Sequence, residues 1–213
     1  MARIKLFLGI SFALLLFFRS NSQTNAETPA ADKSLKFFNK TEVGISFGIG
    51  SFKTKLVDGV RTKIRNDELI VTFQTINGVK YMNRLSLGAS VGFEKWRNGF
   101  FWPIYGYIGF DFKPTGNTFF TNVYLGYSIG TRYATTHFEE GTGAFAFSIG
   151  VGYKMKVANK ICFMYEVFYK YQALESSYGE YVTDTNHIQH LIKTVDYKIP
   201  LHFAGLKIGI TIP

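Results

Sequence analysis

Strict alternation of bulky apolar with small or polar residues, repeated eight times, constrains this chain more than any other feature. Leu85, Leu87, Ala89, Val91 and Phe93 share one face of an extended strand, and Ser86, Gly88, Ser90, Gly92 and Glu94 share the other. Phe145, Phe147, Ile149, Val151 and Tyr153 repeat the pattern against Ala146, Ser148, Gly150, Gly152 and Lys154. Segments of this kind lie at about 41–53, 68–81, 85–96, 103–113, 118–131, 144–156, 160–173 and 194–212. Each is long enough to cross a bilayer as a tilted strand, which takes about 9–11 residues. Tight turns at Met82–Arg84, Pro114–Asn117 and Val157–Asn159 alternate with longer connections near 54–67, 97–102, 132–143 and 174–193. Short turns at one end and long loops at the other predict an all-β fold: an eight-stranded antiparallel up-and-down transmembrane β-barrel.

The glycines set which face is outside. Thirteen strand glycines, among them Gly44, Gly48, Gly50, Gly88, Gly126, Gly150, Gly205 and Gly209, fall on the small or polar face, and only Gly106 falls on the bulky one. A glycine weakens a strand by removing packing, so this clustering needs a geometric cause. A small closed barrel supplies it, because its interior barely has room for side chains. The bulky residues then face outward, which water penalises and lipid requires. A soluble lipocalin-like barrel demands the opposite polarity.

Residues 1–22 are expected to be a cleaved signal peptide: Arg3 and Lys5 precede an apolar run from Leu6 to Phe18, too short to span a membrane as a helix. Residues 23–36 form a polar leader and 37–213 the barrel. The formal charge of +9 falls once Arg3, Lys5 and Arg19 are removed, leaving 21 basic against 15 acidic residues. A secreted chain with bases divided between lumen and loops is not expected to bind nucleic acid. The location implied is the outer membrane of a two-membrane bacterium, and an even strand count places both termini in the periplasm.

The inward face also carries charge. Glu42, Glu94, Asp111 and Glu166 share it with Lys80, Lys113, Arg132, Lys154, Lys170 and Lys207. Charges in a narrow lumen must be paired, so an interior network is expected, joined by Tyr105, Tyr107, Asn122 and Tyr124. It is read as a structural plug rather than a pore. Tyr81, Trp96, Trp102, Phe119, Tyr133 and Tyr169, near strand ends, are expected at the membrane interfaces.

These strand pairs resemble the small outer-membrane barrels of the OmpA/OmpX type, and more closely the PorT-like outer-membrane β-barrel families. The matching pieces are Gly-Val-Lys-Tyr-Met-Asn-Arg-Leu-Ser-Leu-Gly-Ala-Ser-Val-Gly-Phe at 78–93 and Tyr-Lys-Ile-Pro-Leu-His-Phe at 197–203. The PorT-like resemblance implies an accessory subunit of a secretion or surface-assembly complex, with another envelope protein as partner. Such barrels usually end in an aromatic residue, whereas this chain ends Ile212-Pro213.

Three local features bear on function. Lys53, Lys55, Arg61, Lys63 and Arg65 form one concentrated basic stretch around Asp58-Gly59, a strong hairpin signal. Facing outward, it would meet lipopolysaccharide or surface glycans; the equal alternative is a solvated hairpin whose charges discourage strand pairing between molecules. A two-residue turn there makes paired residue numbers sum to 117, which sets Phe47 against Ile70 and asks for a bulge at 65–68. Some barrels of this architecture modify lipids, and His137, His187, His190 and Ser176 are the candidates for such chemistry, with Asp184 or Glu175 as orienting carboxylate. His187-x-x-His190 is weak as a metal site. Cys162 is alone, so no intrachain disulfide forms, and no cofactor is expected. The reading that covers most of these residues is a non-enzymatic envelope scaffold with outer-membrane lipid around it and surface loops for adhesion or docking.

Overall fold

The computed structural model describes residues 35–55, 61–97, 99–130, 140–158, 160–183 and 189–212. Ten strands occupy them: β1 (Leu35–Ile49), β2 (Ser51–Lys55), β3 (Arg61–Arg65), β4 (Leu69–Tyr81), β5 (Leu85–Lys95), β6 (Phe100–Asp111), β7 (Thr118–Gly130), β8 (Glu140–Ala158), β9 (Ile161–Thr183) and β10 (Gln189–Ile212). Eight of them close in the order β1-β10-β9-β8-β7-β6-β5-β4, with every neighbour antiparallel, and β2 with β3 forms a separate ribbon. β1 begins at Leu35, two residues ahead of the barrel start expected from the sequence. The closing seam runs from Asn39↔Ile212 to Ile49↔His202.

Burial follows the alternation. β6 reads exposed, buried, exposed, buried over its whole length: Trp102, Ile104 and Ile108 face out, and Phe101, Tyr105 and Tyr107 face in. Gly106 faces out, as its sequence position requires. Gly50 does not lie on a strand face. It sits between β1 and β2 at φ 78° with nothing near its Cα hydrogens, where only glycine is unstrained.

The first hairpin departs from the expected register. Pairing runs from Leu35↔Tyr81 to Phe47↔Leu69 and resumes as Ser51↔Arg65 through Lys55↔Arg61, so paired numbers sum to 116 throughout. Phe47 therefore meets Leu69, both outward, and Ile70 stays inward opposite Ser46. No bulge is needed at 65–68, because the slip that would have turned one strand over does not occur. Backbone bonds from Gly48 to Glu68 (2.7 Å) and from Asn66 to Gly50 (3.1 Å) bridge the two ladders. The irregularities lie elsewhere, between Leu191 and Lys193, Gly143 and Ala146, and Lys156 and Ala158. Pro200 pairs regularly with Ala173 on β9. It lies past the last β1 partner at His202, on an edge where a missing N–H costs nothing.

The β2–β3 ribbon folds onto the loop end of the barrel. Phe52 joins Ile70, Trp96, Phe101, Leu174, Ile199, Leu201 and Phe203 in one buried cluster, with Ile64 packed against it. Trp96 is consequently not an interfacial residue: it is 1% exposed, 4.9 Å from the Phe101 ring and 5.3 Å from that of Phe203. Asn66 anchors the ribbon's base, donating to the His202 carbonyl at 2.8 Å while its amide lies over Gly48. Phe52→Ala should free the ribbon, since emptying such a site costs about 3–5 kcal/mol. New protease cleavage within 51–65, with the barrel itself still resistant, is the expected reading; unchanged cleavage would show that Phe52 does not hold it.

Candidate functional site

The inward face is built from charge and glycine together. Alternation places Lys40 and Glu42 of β1, Glu166 of β9 and Lys207 of β10 at one level of the lumen. Lys40 Nζ lies 2.6 Å from Glu42 Oε2 and 3.7 Å from Glu166 Oε2; Lys207 Nζ lies 2.9 Å from Glu42 Oε1 and 3.8 Å from Glu166 Oε1. Two cations and two anions thus form a ring with nearly no solvent contact. Tyr124 accepts from Lys40 and donates to Glu42, each at 2.9 Å; Asn122 donates to Glu166 at 2.7 Å, and Gln74 donates to Glu42. Aromatic faces enclose the cations, with Lys207 Nζ 4.1 Å from the Tyr124 centroid and Lys40 Nζ 5.1 Å from that of Tyr107.

The glycine clustering now has its local cause. A Cβ on Gly44 would stand 2.8 Å from Lys207 Cγ, and one on Gly150 would run into the Glu166 carboxylate. These glycines vacate the space that the charged side chains fill.

Two further clusters flank the ring. Toward the loops, Lys170 Nζ sits 2.5 Å from Glu94 Oε1, beneath the Trp96 cluster. Toward the turns, Asp111 accepts from Lys80 at 2.5 Å and from Lys154 at 2.8 Å. The structure therefore brings together Glu42, Glu166 and Lys207, then Glu94 with Lys170, then Lys80, Asp111 and Lys154. Tyr105 is buried, and among the described residues its hydroxyl has no hydrogen-bond partner. Lys113 is exposed in the β6–β7 turn, because β6 ends at Asp111 and alternation stops there. Lys40 was not anticipated; its signal was the Lys40-x-Glu42 spacing, which puts both on one strand face.

At the loop end, Lys53, Lys63 and Arg65 are exposed on the ribbon, and Lys55 pairs in register with Arg61. Glu175 bonds the Lys198 ammonium at 3.0 Å and holds it above the ordinary lysine range. Ser176 lies opposite Tyr197 and His190 opposite Val182, so six ladder steps, roughly 20 Å, separate the backbones of the serine and the histidine. Arg132, Tyr133, His137, Asp184 and His187 lie outside the described residues. Among the described residues no group of His, Cys, Asp and Glu could hold a metal ion. His202 is half-buried on the outer wall, where its Nδ1 lies 2.6 Å from the Tyr169 hydroxyl.

No protein-family model and no curated protein sequence matches this chain. Among solved structures, Neisserial surface protein A (NspA) matches with a TM-score of 0.50 at 10% identity, covering 84% of this chain and 98% of that one. Outer membrane protein OprG from Pseudomonas aeruginosa matches with a TM-score of 0.41 at 11% identity, covering 81% and 94%. The chain is an eight-stranded outer-membrane-type barrel of the OmpA/OmpX architecture. At 10% identity the likeness to NspA is one of fold, and no residue role passes from it. In this barrel the outer wall is apolar at positions such as Val43, Phe73, Leu87, Ile104, Leu125, Ile149, Val167 and Ile208, all strongly exposed. Phe93 stacks edge-on to Trp102 at 5.1 Å toward the loops, and Phe119 to Tyr153 at 4.9 Å toward the turns. These two aromatic levels bound the apolar belt.

Proposed function

We propose that the barrel is an outer-membrane scaffold that turns its short connections to the periplasm and presents its loop end for adhesion or docking. The observation that carries this reading is the asymmetry of the two ends. The lumen is shut beneath the loops by the Phe52–Trp96–Phe203 cluster, which argues against conduction. Above that seal stand the ribbon, with exposed Lys53, Lys63 and Arg65, and the extension of β9 and β10 past the last β1 partner. A rigid wall carrying projecting elements suits recognition. The ribbon's exposed cations suit anionic partners, with lipopolysaccharide phosphates or acidic surface glycans as the chemical class.

Cells producing Lys53→Gln/Lys63→Gln/Arg65→Gln should adhere to a heparin-coated surface about ten-fold less than cells producing the native chain, and added salt should erase the difference. Heat-modifiability on a detergent gel would show that the variant still folds. Equal adhesion by the two strains at matched surface levels would remove the ribbon from the recognition surface.

A further inference from the structure

The turn end of the lumen holds a cavity of about 420 Å³. Six lysines line it: Lys36 from β1, Lys80 from β4, Lys113 from the β6–β7 turn, Lys154 and Lys156 from β8, and Lys160 from the β8–β9 turn. Among the described residues Asp111 is the only carboxylate in the lining, and Lys80 and Lys154 already converge on it. Lys113, Lys156 and Lys160 add three further lysines to a wall that holds no second carboxylate among the described residues. Phe38 and Tyr107, with ring centroids 6.0 Å apart, line the side toward the buried ring of charges. Hydroxyls of Ser86, Thr118 and Thr211 add neutral polar groups to the wall.

We propose that this cavity binds a phosphate-bearing anion. Lysines drawn from five separate elements converge on one concave space, and low-dielectric walls concentrate their field. The lining contains lysine and no arginine, which suits compact, multiply charged phosphate groups better than the planar two-point pairing that arginine gives a carboxylate. The volume lies in the range that holds a small molecule, roughly 300–1,000 Å³. This site is independent of the loop-end reading above: it sits at the opposite end and uses different residues.

The phosphate could belong to a soluble compound or to a lipid headgroup reaching round the turns, and the test separates them. Cys162 lines the cavity and is the sole cysteine, so its alkylation rate reports occupancy directly. The full chain in zwitterionic micelles would be titrated with inorganic pyrophosphate, against sodium chloride at equal ionic strength. In parallel it would be placed in phosphatidylcholine nanodiscs with or without phosphatidic acid. Pyrophosphate protecting Cys162 at least five-fold identifies a soluble ligand; protection only by phosphatidic acid identifies a headgroup. Lys113→Gln/Lys156→Gln/Lys160→Gln, all exposed positions, should weaken calorimetric pyrophosphate binding about ten-fold. Lys95→Gln/Arg97→Gln, exposed at the loop end and outside the ribbon and the cavity alike, should leave that binding alone. No protection by either probe overturns the proposal, as does equal loss of binding in the cavity variant and this control.

Discussion

Replacing Lys207 with methionine should lower the stability of the barrel by about 3–5 kcal/mol, the range for stripping one partner from a buried ion pair. The loss is not of one contact. Lys207 faces Glu42 at 2.9 Å and Glu166 at 3.8 Å. Without it, two buried carboxylates share Lys40 alone, and one negative charge is left in a wall of aromatic rings. Glu166→Gln restores neutrality and keeps a side chain that can still accept from Asn122. The double variant Lys207→Met/Glu166→Gln should therefore recover most of the stability lost by Lys207→Met. Urea unfolding in micelles, followed by the gel shift between folded and unfolded forms, measures both. If the double variant is as unstable as the sum of its parts, charge balance is not what the ring supplies.

Gly126→Val should prevent folding, whereas Gly106→Val one strand away should be tolerated. Any Cβ on Gly126 strikes the backbone carbonyl of Ile104 and stands 2.9 Å from Tyr105 Cα. Backbone on a neighbouring strand cannot move aside without breaking the ladder, and the valine methyls would enter a filled lumen. Overpacking of an ordinary core costs about 1–3 kcal/mol, and here the clash is with main chain. Gly106 points outward, with its nearest neighbour 3.6 Å from the added carbon, and valine there adds β-branched apolar surface to the belt. Outer-membrane yield and heat-modifiability of the two variants decide it. Equal folding of both would refute the account of why glycine crowds the inner face.

The alternation made the eight strands and the polarity of the wall readable from the chain alone, because period two admits only two faces and the glycines name the inner one. The same parity carried Glu42, Glu94, Asp111, Glu166 and Lys207 to the lumen. Errors arose where another rule was laid over it. Trp96 shares its face with Glu94 and so turns inward, yet an aromatic near a strand end suggested the membrane interface. Lys113 lies past Asp111, where the strand has already stopped, so it lines the turn-end cavity from a turn and is not part of the buried network. Lys40 falls outside the first alternating segment because that segment was started at about 41, one residue past it, whereas β1 begins at Leu35. The register of the first hairpin depends on the geometry of its turn, which Asp58-Gly59 does not determine by composition. The cavity at the turn end is not legible in the chain, because its lysines are scattered from 36 to 160 and converge only through closure.

Several contacts of the interior span the lumen or the seam: Tyr124 of β7 to Glu42 of β1, Lys170 of β9 to Glu94 of β5, and Lys207 of β10 to Glu42 of β1. None of them can form inside an isolated hairpin. While the sheet is still open, these groups remain hydrated, and adjacent hairpins gain only ladder bonds and outer-wall contacts. Joining Asn39 to Ile212 brings together the first and last strands of the barrel, the pairing with the greatest sequence separation and so the largest loop-closure cost. That same step expels water from the lumen and turns hydrated charges into paired ones. Insertion should consequently proceed as a single cooperative event, with no resting point between an open wet sheet and a sealed barrel.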